Sequence, residues 1–265
     1  MRSFLISVAL IAVVWVCSSC GTQVYLHKWQ PAKVDLPRGT VLRVQAEVDG
    51  PMYTELNRAF VQQIARDGFY SVEGYGPFAD IRLHRMQVHF TEPAKDSKCC
   101  TRPHPNGVEL TADLVSNYQR IYRREFLQYV STDCNCRSDW EKAAEEIAGE
   151  VMWDLTPHMV RYSETVDDVD ENPAVKQAAL ACAAGNWEGG RELAQRALEK
   201  NPNEAEAYYV LGLIERNARN YAASDDYFRK AYSLDSQSKY RAALNNNTYQ
   251  QNEEARAHSQ MNRWY

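Results

Sequence analysis

Gly185-Asn186-Trp187-Glu188-Gly189-Gly190 and, 34 residues further on, Arg219-Asn220-Tyr221-Ala222-Ala223-Ser224 occupy the same place in two copies of one unit. The register continues outward, with Ala194 aligned on Phe228 and Ala197 on Ala231 at the same offset. Asn201-Pro202-Asn203 closes the first copy, because proline cannot continue a helix. Small residues stand where two paired helices would cross closely: Ala178, Gly190, Ala197, Gly212 and Ala231. Trp187 and Tyr221 sit just before the second helix of each copy, where an aromatic ring can wedge between neighbouring hairpins. The stretch 172–238 therefore predicts two stacked helical hairpins.

Tyr208, Leu211 and Gly212 have the spacing of the W-x2-L-G pattern, and with the 34-residue period the stretch resembles the tetratricopeptide repeat. The first copy departs from that pattern, carrying Gln177-Ala178 where Leu-Gly is usual. The resemblance implies a docking module for a protein partner. In the second copy it directs Glu206, Tyr209, Arg216 and Asn217 into the concave groove, Tyr209 as a rigid aromatic contact and Arg216 as a carboxylate-binding fork. A hairpin cannot bury its own apolar face, so two copies need a cap or a neighbouring domain to rest on. Residues 239–265 are expected to supply a polar capping helix that Asn245-Asn246-Asn247 loosens, followed by a frayed tail.

At the other end, Arg2 precedes an apolar run over residues 4–16, too short for a comfortable membrane span and read as a signal peptide, 1–19. The run ends in Cys17-Ser18-Ser19-Cys20-Gly21, which resembles a bacterial lipobox with Cys17 where leucine is usual. That resemblance implies cleavage before Cys20 and acylation of its sulfur, making Cys20 the lipid anchor. Acyl chains contribute about 0.8 kcal/mol per buried CH2, enough in combination for stable anchoring. By analogy with lipoproteins, Gly21 favours the outer membrane. Residues 20–39 show no convincing periodicity and are read as a lipidated tether.

The middle region, 40–163, alternates between strand and helix periods. Leu42, Val44, Ala46 and Val48 share one face of a strand, and Asp49-Gly50-Pro51 turns the chain into a helix with Leu56, Phe60 and Ile64 on one stripe, capped by Gly68. Residues 69–72 suggest a short strand. Residues 81–90, 108–115 and 121–130 read as three longer strands, the last two joined around Asn117. Ser138 and Glu141 have capping-box spacing, and Trp140, Ala144, Ile147, Val151 and Leu155 follow on one helical stripe. The expected fold class is α+β: a two-layer sandwich of a mainly antiparallel sheet with two helices, followed by an all-α helical array. The order of elements is similar in layout to the LPS-assembly lipoprotein, the TolB N-terminal region and the curli-export lipoprotein. The lipobox, the segment from Gln30 to Pro37 and the repeats together resemble a class of envelope lipoproteins in which a domain precedes tetratricopeptide repeats.

Cys99, Cys100, Cys134 and Cys136 fall in loops expected at one end of the sheet. In an oxidising envelope compartment they are read as disulfide partners, one loop bridged to the other, although the sequence does not select among the pairings. A zinc site using these thiols with His104, or unpaired redox-active thiols, is the alternative. Cys182 reads as a small buried residue. His84 and His89, five apart on one strand, are expected on opposite faces.

No G-x-S-x-G, H-E-x-x-H or phosphate-cradling glycine loop occurs, so no catalytic residue, metal or cofactor is assigned and an enzyme is not expected. The formal charge of −5 becomes −6 on loss of residues 1–19, which disfavours nucleic acid as a partner. The acidic run 164–171 reads as a solvated linker. Function is thus expected to be that of a lipid-anchored envelope scaffold or assembly factor gripping a protein through its repeats. The alternative is envelope assembly or export through the α+β domain.

Overall fold

The computed structural model describes residues 21–46, 51–74, 77–91, 104–130, 139–167 and 172–263. The signal segment, Cys20, the four loop cysteines and residues 168–171 lie outside them. The chain divides into two units, one comprising Met1–Trp29 with Met159–Ala255, the other Gln30–His158 with Arg256–Tyr265.

The second unit is the α+β layer pair. Strands β2 (Val41–Ala46), β3 (Phe78–Thr91), β4 (His104–Ser116) and β5 (Gln119–Tyr129) form a sheet in that order. Helix α1 (Pro51–Asp67) connects β2 to β3 as a crossover, and those two strands run parallel from Val41 opposite Phe78 to Ala46 opposite Leu83. The other two pairings are antiparallel. Asn117 and Tyr118 make the two-residue turn between β4 and β5, both at positive φ (50° and 61°), the backbone of a primed hairpin turn. Ala79, Ile81 and Leu83 on β3 and Val108, Leu110, Ala112 and Leu114 on β4 point to one face and are buried. Against that core lie Leu56, Phe60 and Ile64 of α1, and Ala144, Ile147, Val151 and Leu155 of helix α2 (Trp140–Leu155). Gly68, at φ 64°, returns its amide to the Ile64 carbonyl and ends α1.

Several details differ from the sequence reading. The amino-terminal cap of α2 is Asp139, which accepts from the Lys142 amide at 3.0 Å, one residue after the expected Ser138. Residues 69–72 form no strand beyond a single bridge between Ser71 and Val41. Residues 30–37 do not behave as a tether: Ala32, Val34 and Leu36 are buried, and the Lys33 amide donates to the Asp154 carbonyl at 2.8 Å. The tail does not fray through 263 either. Gln260 is buried, accepting from the Ala32 amide at 2.9 Å and donating to the Val34 carbonyl at 3.0 Å.

The first unit holds the hairpins. Helices α3 (Pro173–Ala183) and α4 (Trp187–Lys200) are followed by α5 (Ala205–Asn217) and α6 (Tyr221–Leu234), so both second helices begin and end 34 residues apart. Gly185 and Arg219, at the same offset, both turn the chain at positive φ (82° and 62°). Small residues allow the crossings: a Cβ at Gly190 would lie 3.2 Å from the Ala178 carbonyl oxygen, and one at Gly212 would lie 2.5 Å from Cδ1 of Phe228. Helix α7 (Ser238–Asn262) runs unbroken through Asn245-Asn246-Asn247, against the expected loosening.

Two further strands belong to this region, β1 (Thr22–Gln30) and β6 (His158–Val166), paired with each other. They correct the tether over 22–30 and the linker over 164–166, since Val24, Leu26 and Val166 are fully buried, while 168–171 lie outside the described residues. The start of β1 lies beside the end of β6, where Gln23 donates to the Thr165 hydroxyl at 2.7 Å. No described helix is long and apolar enough to cross a membrane.

Candidate interaction sites

The residues expected to line a groove sit on α5, whose periodicity places Glu206, Tyr209 and Arg216 on one stripe. That stripe is not open. Glu206, Tyr209 and Arg216 are all buried, and only Asn217 is partly accessible. Their partners come from the chain itself. Glu206 accepts from the Asp167 amide at 2.7 Å and from the Tyr240 hydroxyl at 2.6 Å, and pairs with Lys239 at 2.6 Å. Burial pushes its carboxyl up, against the pull of Lys239. Tyr209 donates to Glu164 at 3.3 Å while its ring stands 5.4 Å from that of Tyr240 and 5.6 Å from that of Phe228.

Arg216 is the centre of this network. Its Nη1 reaches Glu164 at 3.0 Å, its Nε reaches Asn247 at 3.0 Å and its Nη2 reaches the Ala243 carbonyl at 2.7 Å. The guanidinium lies 4.6 Å from the centre of the Phe228 ring. Asn247 in turn donates to the Tyr221 carbonyl at 2.9 Å and to Asp225 at 2.7 Å. The end of β6 and the inner face of α7 thus take the place an outside ligand would have, which corrects the assignment of Glu206, Tyr209 and Arg216 as contacts free for a partner. The asparagine run resists loosening for the same reason: Asn247 is buried and saturated by groups outside its own helix.

The second concentration of polar side chains is on the sheet face opposite the helices. Cross-strand register sets Arg43, Asp80, Val115 and Arg120 in one row and Gln45, Arg82, Asp113 and Arg123 in the next. Arg123 grips Asp113 with two bonds, Nε to Oδ1 at 2.7 Å and Nη2 to Oδ2 at 2.8 Å, and His84 adds a third contact at 3.0 Å. The Arg123 hydrogen bonds hold the Asp113 carboxyl below the usual carboxylate range despite burial. Arg43 holds Asp80 at 2.7 Å. With both acids taken, Arg82 and Arg120 stand further off, 3.8 Å from Asp80 and 3.9 Å from Asp113 respectively. They line a recess of about 300 Å³ with His84, Asp113, Val115 and Tyr118. Tyr118, at the hairpin tip, is fully exposed.

Between His84 and Gln87 the register with β4 shifts, and Arg85 takes φ 55°. This bulge adds a residue to β3 and brings His89 onto the face that His84 occupies: His84 meets Asp113 and His89 meets Glu109 at 3.4 Å, two acids four apart on one unbulged strand. The expectation of opposite faces is thereby corrected. Among the described residues no group of three or more His, Cys, Asp or Glu side chains is placed to hold a metal ion. Cys182 is buried, its thiol pushed up to about 12 by burial.

On the helix side, Asp154 gathers Lys33 at 2.8 Å, Tyr122 at 2.9 Å and Arg124 at 2.9 Å. Although burial pushes its carboxyl up, those three donors together hold it below the usual range. Asp113 and Asp154 read as ordinary polar positions in the sequence, while Glu164 reads there as part of a solvated linker and Asn247 as part of a loosening run. Only the polar phase of the alternation on β4 hinted at Asp113.

The chain matches no protein-family model, and no curated protein matches it. Among solved structures it is similar to a PelC dodecamer from Paraburkholderia phytofirmans, at 11% identity over 49% of this chain and 96% of that one, with a TM-score of 0.31. At that TM-score the likeness carries no argument about function.

Proposed function

We propose that this chain is a non-catalytic, lipid-anchored component of the bacterial envelope that contacts an acidic protein partner through the arginine-bearing face of its sheet. In this reading Cys20 carries the anchor. The hairpins, of the tetratricopeptide type, serve as an internal frame that already holds a strand and a helix of the same chain. One observation carries the choice of surface: the α5 side chains suited to gripping a partner are used up internally, whereas Arg82 and Arg120 exceed the carboxylates beside them and flank an exposed tyrosine. Guanidiniums in that position suit carboxylate recognition, and a nearby exposed aromatic is a common anchor of protein interfaces.

Two measurements test it. Labelled palmitate is expected on the full chain and absent from Cys20→Ala; labelling that survives the substitution removes the anchor from the account. Protein recovered with the full chain from detergent-solubilised membranes is expected to be lost with the double variant Arg82→Glu, Arg120→Glu. Equal recovery by the variant refutes the sheet face as the contact.

A further inference from the structure

Strand β5 is an edge of the four-stranded sheet, and no described strand pairs with its outer side. Chains usually blunt such an edge with proline, lysine, a bulge or a short strand. The described part of the opposite edge, β2, is six residues. Strand β5 is 11 residues long and has neither proline, glycine nor lysine. Its bulge is confined to one end, where Ile121 has no partner on β4. Ile121, Leu127 and Tyr129 are exposed along it.

The sequence of this edge is self-complementary. Antiparallel pairing of β5 with the same strand of another molecule, about a two-fold axis at Arg124, sets residues equally distant from Arg124 opposite each other. Arg123 then meets Glu125 of the second copy, Tyr122 meets Phe126, and Ile121 meets Leu127. Each is a favourable cross-strand pair, of opposite charge, of two aromatics and of two aliphatics. The faces agree as well: Arg123, Glu125 and Leu127 lie on the outer side, while Tyr122 and Phe126 lie toward the helices. Arg123 uses Nε and Nη2 on Asp113, so its described bonds leave Nη1 to reach across. The one like-charged meeting, Arg124 with itself, is offset within each copy by Asp154 and Glu150, which both bind that guanidinium. A shift of one residue would set side chains against the opposite face, and moving the axis to Arg123 or Glu125 would lose the Arg123–Glu125 and Tyr122–Phe126 pairs, which favours the axis at Arg124.

We propose that β5 is a homodimer interface, joining two copies edge to edge into one eight-stranded sheet about a two-fold axis through Arg124. Beside this edge, Trp153 of α2 is half exposed and Gly149 has open space around its Cα, leaving room for the approach of a second α2. The inference goes beyond the proposed function and does not depend on it, since the arginine recess involves neither Glu125 nor Leu127.

Sedimentation velocity of the full chain in mild detergent, over a range of concentrations, tests it. The native chain is expected to form dimers, and Glu125→Arg to weaken association at least tenfold. Arg123→Glu alone is expected to do the same, while an equal mixture of the two variants restores the dimer, because opposite charges then face each other at both sites. Since Arg123 also holds Asp113, the exchange is repeated with Ile121→Glu and Leu127→Lys, which leave that carboxylate untouched. A native chain that stays monomeric throughout overturns the proposal. So does a dimer indifferent to Glu125→Arg, or variants of both exchanges that fail to recover on mixing.

Discussion

Replacing Arg216 by methionine keeps most of the side-chain volume and removes only the guanidinium. In the folded chain that group makes three hydrogen bonds to Glu164, Asn247 and the Ala243 carbonyl, with its side chain 1% exposed and Glu164 at 21%. Removing one member of a buried pair strands its partners, at a cost of roughly 3–5 kcal/mol. For a domain of this size each kcal/mol corresponds to about 2–4 °C, so the melting of the helical signal should fall by roughly 6–20 °C. Arg216→Lys, which keeps charge but not the planar fork, should fall in between. The assay is thermal and urea unfolding of the full chain followed by far-UV circular dichroism. Had the groove been open, the ion pair would stand in water and contribute under about 1 kcal/mol. A loss that small for Arg216→Met refutes the internally filled groove.

Gly212→Val should destabilise by about 1–3 kcal/mol, because its side chain must displace the buried Phe228 ring, and the same unfolding assay reads the loss. Asp113 and Asp154 bind protons more weakly in the folded chain than in the unfolded one, so the stability they contribute is present above a pH of about 3.9 and lost as pH falls through their lowered folded values. The urea midpoint should therefore drop steeply below about pH 4, and Asp113→Asn should flatten that drop while lowering the neutral value. Cys182 should resist maleimide in the folded chain at pH 8 and react once urea is added, as peptide mass spectrometry would show.

Much of the fold was legible where one residue type announces its surroundings. The spacing of Leu56, Phe60 and Ile64 named a buried helical stripe, and the glycines and alanines of 178–231 named helix crossings. The turn at Asn117 was legible because few residues accept positive φ. The parallel pairing of β2 and β3 was implicit in the strand–helix–strand order but hidden by the antiparallel hairpins that follow. Strands β1 and β6 escaped because the alternation is thin: β1 has only Val24 and Leu26 fully buried, and the inward side of β6 includes His158 and Glu164. The largest difference lies in the role of α5. Glu206, Tyr209 and Arg216 read as polar contacts for an outside ligand, whereas Glu164, Lys239 and Asn247, distant in sequence, satisfy them first.

Hydrogen exchange of the full chain tests most directly whether its own strand and helix fill the hairpins. Amides of residues 162–166 should exchange as slowly as those of α5 and α6, because all belong to one buried network. Exchange of 162–166 at unprotected rates while α5 and α6 stay protected would mean an open groove, and would return Glu206, Tyr209 and Arg216 to an outside partner.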